Sequence, residues 1–369
     1  MTIGISVYPG LDSRKSLEES VALAIKENLK YLFLSLHIPE ADQTTFSEDL
    51  EYVLSLSRKN HINVIADMTP ETKKLFGKKA SCFHKAGISI LRLDDGFLPH
   101  EVADLSYDSA LALNASTLSY NDLDALCSAG CDFSRITGLH NFYPRPYTGL
   151  GPRDLYHKNK LFHHYRIATG AFVAAANHGR GPLHCGLPTL ETTRNTDIYK
   201  ATRLLRLLGT DEVFIGDSRA TQKDIQDLKS GAYESTDCIK LPIVPQADKS
   251  FVKKIVNIPF LSRPDRAYNA IRVNRMRTNV FKDISVPINA DTPVRRRGDI
   301  TVDTGAYGRY NGEIQIITTD LPADPKTRLV ARIKEEDTWI LDGITESKSF
   351  MLVCNFMQQS ITPYITVIH

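Results

Sequence analysis

The chain has 369 residues, of which 42% are hydrophobic and 24% charged, and its formal net charge at pH 7 is +2. This composition is typical of a folded protein, and the length favours one large domain joined to a smaller one. A charge so close to neutral excludes a global field that would attract nucleic acid or an acidic membrane, so an anionic partner would have to be met by local arginines.

The first residues, MTIGISVYPGLDSRKS, do not have the basic and then apolar pattern of a secretion signal. No later stretch is long and apolar enough for a membrane span. We therefore expect a cytoplasmic protein. Of the six cysteines only Cys127 and Cys131 are close in sequence, without metal-site spacing, and we expect reduced thiols.

From Ile3 to about Leu228, short apolar runs alternate with longer stretches of helical periodicity. Eight apolar runs are predicted to be strands: GISVY, YLFLSL, INVIAD, ISILRLD, ALALN, SRITGLHN, AFVAAAN and EVFIGD. Nearly continuous apolar strands are typical of a parallel sheet that is covered by helices on both faces. Eight such units over this length predict a (β/α)8 TIM barrel of the α/β class, with a doubly wound open sheet as the alternative.

After Ser235 the sequence pattern changes. A proline-containing segment, KLPIVPQ, is predicted to link the barrel to a second domain. Segments of alternating character follow, ITVDTGAY, GEIQIITTD, TRLVARI and MLVCNF, with turns at Asn311-Gly312 and Asp342-Gly343. This pattern predicts a small antiparallel β-barrel or sandwich. We expect residues 1–235 to form the first domain and residues 236–369 the second.

Polar residues stand at the end of every predicted strand of the barrel. In chain order they are Ser6 and Tyr8, His37, Asp67, Asp94 and Asp95, Asn114, His140 and Asn141, Asn177 and His178, and Asp217. Barrel enzymes build their active sites from these strand ends and the loops that follow. Helix capping would account for the Asp and Asn residues, but it does not favour histidine, which is present at three of the eight ends.

The run HNFYPRPYTGLG, residues 140–151, is predicted to be the loop after the sixth strand. Pro144 and Pro146 restrict its backbone, so Tyr143 and Arg145 would lose little conformational freedom on binding. Aromatic rings and amides suit a sugar, and an arginine suits a phosphate or a carboxylate. The alternative is a stiff loop whose aromatic side chains are buried under the barrel rim.

The long loop after the seventh strand, NHGRGPLHCGLPTLETTRN, carries Glu191 just ahead of a helix. Glu191 is interpreted either as a favourable charge at a helix start or as a catalytic carboxylate. Cleavage of a glycosidic bond normally uses two acidic groups. The candidates for such a pair are Asp67, Asp94, Asp95, Glu191 and Asp217.

No motif indicates a metal or a nucleotide cofactor. The spacings H-x-H and H-E-x-x-H are absent, and no GxGxxG or Walker motif follows a strand, so we expect neither group. The second domain contains basic clusters, which we interpret mainly as solvated surface, although one or two members could reach the barrel mouth. Their arginines are Arg266, Arg272, Arg275, Arg277, Arg295, Arg296, Arg297 and Arg309.

Several of these segments together resemble the 6-phospho-N-acetylmuramidase family over essentially the whole chain. They are GISVYP, LSLHIPE, LRLDDGF, LNAST, HNFYPRPYTGLG, GPLHCGLPTLE, the IGD of the eighth strand and GDITVDTGAYGRYNGEIQI. The resemblance implies a TIM barrel joined to a cyclophilin-like β-domain. It also implies a cytoplasmic enzyme of peptidoglycan recycling that hydrolyses a phosphorylated disaccharide, N-acetylmuramic acid 6-phosphate linked β-1,4 to N-acetylglucosamine. In LRLDDGF a tyrosine is expected after the first aspartate, so Asp95 need not be a shared functional residue.

Roles are then assigned from position. Asp94 and Glu191 are the predicted catalytic pair, with Asp217 and Asp67 in reserve, and the substrate's own 2-acetamido group is an alternative to a protein nucleophile. Arg145 is predicted to meet the 6-phosphate or the lactyl carboxylate. The predicted substrate-binding residues are Tyr8, His37, Asn114, His140, Asn141, Tyr143 and Arg145.

Two rival hypotheses remain open at this point. A barrel lyase, epimerase or aldolase acting on a sugar phosphate would be expected to use a lysine or a metal near the strand ends, and none of the eight ends carries a lysine. A sugar-phosphate-binding protein would use the same pocket without turnover. Neither hypothesis requires a nucleic acid or a membrane as partner, and a homo-oligomer is compatible with all of them.

Overall fold

The computed structural model describes residues 1–72, 80–176, 179–246, 249–274 and 294–354. The chain divides into two compact units, Met1–Glu234 and Ser235–His369. This division lies one residue from the predicted boundary between residues 235 and 236.

The first unit contains a closed barrel of eight parallel strands in sequential order, as predicted, and is not an open doubly wound sheet. Each predicted apolar run supplies one strand. The strands are β1 (Thr2–Ser6), β2 (Tyr31–Ser35), β3 (Asn63–Met68), β4 (Ile90–Leu93), β5 (Ala110–Asn114), β6 (Ile136–Leu139), β7 (Ala168–Val173) and β8 (Glu212–Ile215). The described helices of this unit are α1 (Arg14–Lys26), α2 (Gln43–Lys59), α3 (Ala80–Ala86), α4 (Pro99–Asp108), α5 (Tyr120–Ser128), α6 (Pro152–His164), α7 (Ile198–Leu207) and α8 (Gln222–Tyr233).

Helix capping does not account for the polar residues at seven of the eight strand ends. The side chains that cap α1, α2, α5, α7 and α8 are Ser13, Asp42, Ser119, Asp197 and Thr221. The N-cap residues of α4 and α6 are Leu98 and Gly151, which make no side-chain cap hydrogen bond. At all seven of these helices the cap is thus a different residue from the one at the strand end, which leaves the strand-end groups available for another role.

The barrel interior changes from apolar to polar toward the C-terminal ends of the strands. Its apolar layer contains Phe33, Ile65, Ala112, Leu139, Phe172 and Phe214. Because side chains alternate between the two faces of a strand, residues two positions further along point into the same interior. In β4 this rule places Ile90, Arg92 and Asp94 in successive layers on the inner side. The polar layer therefore lies directly above the packed core on the side of β2 to β6.

The second unit contains a seven-stranded, mostly antiparallel sheet that curls on itself, which confirms the predicted antiparallel character. The strands are β9 (Ile239–Pro245), β10 (Pro259–Leu261), β11 (Ala270–Arg272), β12 (Asp299–Asp303), β13 (Ile314–Ile317), β14 (Thr327–Ile333) and β15 (Ser349–Val353), and a short helix, α9 (Lys249–Val252), follows β9. Their order in the sheet is β10-β15-β9-β14-β12-β13-β11. The two outer strands approach each other through an isolated bridge between Ser262 and Val273.

The segment KLPIVPQ, predicted to be a link, forms most of the central strand β9 instead. This strand tolerates two prolines because it changes partner along its length. Residues 239–242 pair with β15, and residues 243–245 pair with β14, so Pro242 and Pro245 each stand at the end of one ladder. The alternation of Ile239, Leu241 and Ile243, all buried, is the pattern of a strand.

The arginines of the second unit are partly paired and partly solvated. Arg272 lies 3.3 Å from Glu313, Arg295 lies 3.9 Å from Asp324, and Arg297 lies 2.9 Å from Asp342. The side chains of Arg266, Arg296 and Arg309 are exposed. Arg275 and Arg277 lie outside the described residues.

None of the six cysteines, all of which lie within the described residues, forms a disulfide. Among the described helices, none combines the length and the apolar character that crossing a membrane requires.

Candidate active site

A buried arginine, Arg92, connects three strand ends inside the barrel. Its side chain is 4% exposed. Its Nη1 donates a hydrogen bond of 2.5 Å to Oδ1 of Asp67, and its Nη2 donates to Oδ1 of Asn141. The same Nη1 lies 3.9 Å from Oδ1 of Asp94. One guanidinium thus holds groups from the ends of β3, β4 and β6 in a single network.

Asp67 and Asp94 form a carboxylate pair beside this guanidinium. Nε2 of His37 lies 4.0 Å from Oδ2 of Asp67 and 3.8 Å from Oδ2 of Asp94. The Nδ2 of Asn114 donates to Oδ1 of Asp94 at 3.4 Å. The side chain of Asp94 is 32% exposed and that of Asp67 is 12% exposed. Asp94 is therefore the member of the pair that is more accessible from outside.

Burial raises the pKa of Asp67 above its ordinary range, while Arg92 and His37 oppose that rise. Burial disfavours the ionised carboxylate because it removes water that would solvate the charge. A buried carboxyl group with a raised pKa, next to a more exposed one, is the kind of unequal pair that acid and base chemistry uses.

One ligand atom from each of His37, Asp67 and Asp94 lies within 4.8 Å of the other two, an arrangement that could hold a metal ion. The guanidinium of Arg92 already lies beside both carboxylates and supplies a positive charge there. A divalent cation at this position would be repelled by Arg92. Because one positive charge already partly balances the two carboxylates, the group does not need a metal ion to compensate them.

His140 is fully buried on the side of β6 that faces α6, and it acts as a support. Its Nε2 lies 2.9 Å from Oδ1 of Asn159, and its Nδ1 lies 3.2 Å from Oγ of Ser116. Burial lowers the pKa of His140 to about 4, so the imidazole is neutral near pH 7. The Ser116 hydroxyl also accepts the backbone N–H of Asn141 at 2.9 Å. His140 thus supports Asn141, which in turn contacts Arg92.

Glu191 joins the loop after β6 to the loop after β7. Its Oε1 accepts the N–H of Tyr147 and its Oε2 accepts the N–H of Gly149, both at 2.8 Å. Arg194 donates to the same two oxygens from Nε and Nη2 at 2.8 and 2.7 Å. A Cβ atom at Gly149 would lie 2.8 Å from Oε2 of Glu191, so this close approach requires glycine.

These contacts keep Glu191 ionised. The hydrogen bonds from Arg194, followed by those from the two backbone N–H groups, lower the pKa of Glu191 to about 2. A group with that pKa is a poor proton donor near neutral pH. We call Glu191, Arg194 and the two N–H groups of Tyr147 and Gly149 the loop bracket.

Asp217 holds the loop after β7 from the other side. It is fully buried; its Oδ2 accepts the N–H groups of Ala175 and Leu187 at 2.9 and 3.0 Å, and its Oδ1 accepts that of Arg180 at 2.8 Å. Burial raises the pKa of Asp217, and these hydrogen bonds oppose that rise. Its oxygens are committed to the backbone of the loop.

Three further predicted residues lie around the apolar layer and the rim. Tyr8 is fully buried in the apolar layer, donates its hydroxyl to the carbonyl of Gly216 at 2.5 Å, and has its pKa raised by burial. Tyr143 is half-buried, and its N–H donates to the carbonyl of Pro188. Arg145 is exposed on the loop after β6. Asn177 and His178, at the end of β7, lie outside the described residues.

Two cavities border these groups. One of about 820 Å³ lies between the loops after β6 and β7, and its walls include Tyr147, His184, Glu191, Arg194 and Asp197. A smaller one of about 180 Å³ borders Asp94 and Asn114 and has apolar walls that include Phe97, Leu118 and Leu126. The larger volume lies in the range of pockets that bind small molecules.

The structure brings together five of the predicted residues, His37, Asp67, Asp94, Asn114 and Asn141. Glu191 was predicted to be the partner of Asp94, but the group beside Asp94 is Asp67, which was a reserve. Glu191 and Asp217 belong to networks that hold loops, Tyr8 lies in the apolar layer of the barrel, and His140 faces α6. Their catalytic and substrate-binding roles stay predictions.

Sequence reasoning did not identify Arg92 or Arg194. The sequence could have indicated Arg92, because it is a charged residue in the middle of the apolar run ISILRLD. Side chains two positions apart on a strand point the same way, so Arg92 points into the barrel together with Asp94. The signal for Arg194 was its spacing of three residues from Glu191, the distance of a helical ion pair.

Comparison with known proteins agrees with this architecture. The family model described as "6-phospho-N-acetylmuramidase, N-terminal" matches residues 3–230, and the model described as "6-phospho-N-acetylmuramidase, C-terminal" matches residues 239–353. No curated protein shows a significant match to the chain.

Two solved structures are similar over nearly the whole length. An uncharacterized B. cereus protein is 24% identical, with 95% of this chain and 99% of that chain covered and a TM-score of 0.66. A conserved Enterococcus faecalis protein of unknown function is 27% identical, with 96% and 97% covered and a TM-score of 0.56. The first similarity supports the fold alone. The two family models together cover most of the chain, and the protein therefore belongs to the 6-phospho-N-acetylmuramidase family.

Proposed function

We propose that the protein is a phosphoglycosidase that hydrolyses the β-1,4 bond between N-acetylmuramic acid 6-phosphate and N-acetylglucosamine. We place this reaction in the cytoplasm, in the recovery of peptidoglycan fragments. The family to which the chain belongs carries the name of this activity. The observation that carries the proposal is the carboxylate pair Asp67 and Asp94 at the C-terminal end of the barrel, where barrel enzymes have their active sites.

Hydrolysis of a glycosidic bond needs one carboxyl group that gives a proton to the leaving sugar and one that stays ionised. The raised pKa of Asp67 favours the acid role for this residue. The more exposed Asp94 then acts on the anomeric carbon, either as nucleophile or as the base that activates water. The 2-acetamido group of the substrate is the alternative nucleophile, in which case Asp94 would orient that group.

The remaining residues of the network would position the sugar and the carboxylates. Asn114 donates to Asp94, and Asn141 and His37 present an amide and an imidazole next to the pair. Tyr143 and Arg145 lie on the adjacent loop, where an aromatic ring and a guanidinium suit a sugar face and an anionic group. The substrate has two anionic groups, the 6-phosphate and the lactyl carboxylate, and Arg145 is proposed to meet one of them.

The test is product analysis after incubation with the phosphorylated disaccharide and, separately, with its unphosphorylated counterpart. We expect release of N-acetylglucosamine and N-acetylmuramic acid 6-phosphate from the first substrate, and much slower cleavage of the second. Equal cleavage of both would overturn the role given to the phosphate.

The same experiment separates the rival functions. A protein that binds the phosphorylated disaccharide but releases no product would be a binding protein. Products that carry a double bond or an inverted sugar centre, without uptake of water, would indicate a lyase or an epimerase. Incorporation of one ¹⁸O atom from labelled water into the released N-acetylmuramic acid 6-phosphate, which carries the anomeric carbon, would identify hydrolysis.

A further inference from the structure

Arg180, in the loop after β7, lies over two aromatic rings of the barrel. Its guanidinium carbon is 4.6 Å from the centre of the Tyr8 ring and 6.0 Å from the centre of the Phe142 ring. Tyr8 belongs to the apolar layer of the barrel, and Phe142 packs against that layer. The guanidinium therefore lies above the apolar layer of the barrel.

The base of the Arg180 side chain is held in place. The N–H of Arg180 donates to Oδ1 of Asp217, which is itself fully buried after β8. The loops after β7 and β8 are thus tied together at this residue. Positive charge over the face of an aromatic ring is favourable, so the stacking further restricts the side chain.

The donors of this guanidinium are nevertheless unused. Within the described part of the chain, the Arg180 side chain makes no hydrogen bond or salt bridge, and its buried Nε has no acceptor. Burial raises the pKa values of Asp12 and Asp217, and the nearby charge of Arg180 opposes that rise, but Asp217 is already occupied by backbone N–H groups.

The other arginines near the mouth differ from Arg180. Arg92 is bound to Asp67 and Asn141. Arg194 is bound to Glu191 and to backbone carbonyls. Arg145 is exposed, so water solvates its charge and it has less to gain from a ligand. Arg180 combines partial burial, a fixed position and free donors, which is the state of a binding group before its ligand arrives.

We propose that Arg180 binds the phosphate group of the substrate and thereby sets the preference for a phosphorylated sugar. This inference rests on the proposed function and assigns its anion-binding residue. A guanidinium binds two phosphate oxygens through two parallel N–H donors. In barrel enzymes the loops after strands seven and eight frequently form the phosphate site, and Arg180 with Asp217 connects these two loops.

The test compares Arg180→Gln, Arg180→Lys and the native protein on the phosphorylated and the unphosphorylated disaccharide. We expect Arg180→Gln to raise KM for the phosphorylated substrate by about 10- to 100-fold, because one charge-assisted contact is lost. Cleavage of the unphosphorylated substrate should not change. Arg180→Lys should recover part of the affinity, since lysine keeps the charge but not the paired donors.

Arg153→Gln is the matched control, because Arg153 is exposed on α6 and makes one weak contact, of 3.4 Å, with His157. Circular dichroism and thermal unfolding would verify that each variant is folded. An equal loss on both substrates in Arg180→Gln would show a structural role and overturn the inference. No loss on either substrate would also overturn it. Arg145→Gln is assayed in parallel, and a loss on the phosphorylated substrate in that variant alone would assign the phosphate to Arg145.

A binding experiment keeps this inference separate from the proposed reaction. Calorimetry would measure the Kd of N-acetylmuramic acid 6-phosphate for the native protein, Arg180→Gln and Arg153→Gln. Weaker binding only in Arg180→Gln supports the inference even if the native protein releases no product, in which case only the hydrolase proposal fails. Equal Kd values in all three proteins, or no binding to the native protein, would refute the role of Arg180.

Discussion

The two sides of the barrel mouth use carboxylates in opposite ways. On the side of β2 to β6, Asp67 and Asp94 lie side by side around Arg92, and the Asp94 side chain is partly exposed. On the side of the loops after β7 and β8, Glu191 and Asp217 accept three or more hydrogen bonds each from loop backbone or from Arg194. The carboxylates of Asp67 and Asp94 can still accept hydrogen bonds from a ligand, whereas those of Glu191 and Asp217 are occupied by the groups that hold the loops.

This difference shows why a carboxylate at a strand end is not by itself a catalytic group. A free carboxylate has about four positions for hydrogen bonds. Glu191 accepts four hydrogen bonds, of 2.7 to 2.8 Å, from Tyr147, Gly149 and Arg194. The described contacts of the Asp94 carboxylate are all longer than 3.3 Å. Variants of both sides test whether this contrast in hydrogen bonding is also a contrast in function.

The largest expected effect is that of Asp94→Asn. The amide keeps the shape of the side chain but cannot act as nucleophile or base, so kcat for the phosphorylated disaccharide should fall by roughly 10²–10⁴-fold. Binding of the substrate, measured by calorimetry, should be retained. The measurement is steady-state hydrolysis with a chromatographic assay of the released sugars.

Asp95→Asn is the control for this prediction, because Asp95 is adjacent in sequence but exposed. We expect it to keep most of the native rate. If Asp95→Asn lost as much activity as Asp94→Asn, the pair would have been assigned to the wrong aspartate. Native kcat in Asp94→Asn would remove the carboxylate pair from the mechanism.

The next effect concerns the charge of Arg92. Replacing it by methionine leaves the buried Asp67 without its cation, so the pKa of Asp67, which burial already raises, should rise further. The alkaline limb of the kcat/KM profile, where the proposed acid Asp67 loses its proton, should therefore move to higher pH. Arg92→Lys, which keeps a charge, should move it less. A profile that loses height without moving would show that Arg92 acts only in packing.

The fold could be predicted from the sequence because the barrel is built from a repeated sequence pattern. Eight apolar runs with intervening helical periodicity are a long-range regularity, and each run became a strand. The segment KLPIVPQ was harder, because its prolines exclude an ordinary central strand and are accommodated only by the change of partner between β15 and β14.

The site was less predictable for a physical reason. Position at a strand end predicted His37, Asp67, Asp94, Asn114 and Asn141, which the structure brings together. It did not distinguish carboxylates that face a ligand from carboxylates that bind loop backbone. That distinction depends on loop conformation, which local sequence patterns do not encode, so the carboxylate that lies beside Asp94 could not be chosen from the sequence.

A smaller effect is expected from the loop bracket. Glu191→Gln and Arg194→Gln each remove one half of the same ion pair, so both should loosen the loops after β6 and β7 and lower kcat/KM by a similar factor, up to about a hundredfold if the loops misplace substrate. Hydrogen exchange should increase in residues 145–151 in both variants. A much larger loss of kcat in Glu191→Gln than in Arg194→Gln would restore Glu191 as a catalytic carboxylate.

The smallest effect is on stability and concerns His140, which is buried between the end of β6 and α6. Its pKa is lowered to about 4 in the folded protein, against about 6.5 when unfolded, so the unfolded chain binds more protons between these values. Above pH 6.5 the imidazole is neutral in both the folded and the unfolded chain, so the contribution of His140 to the free energy of unfolding does not change with pH. Below pH 6.5 the free energy of unfolding should fall by up to about 1.4 kcal/mol per pH unit as the pH approaches 4. Denaturant unfolding at several pH values would measure this slope. His140→Gln, which cannot take up a proton, should have a shallower slope than the native protein, and identical slopes would show that His140 is not the titrating group.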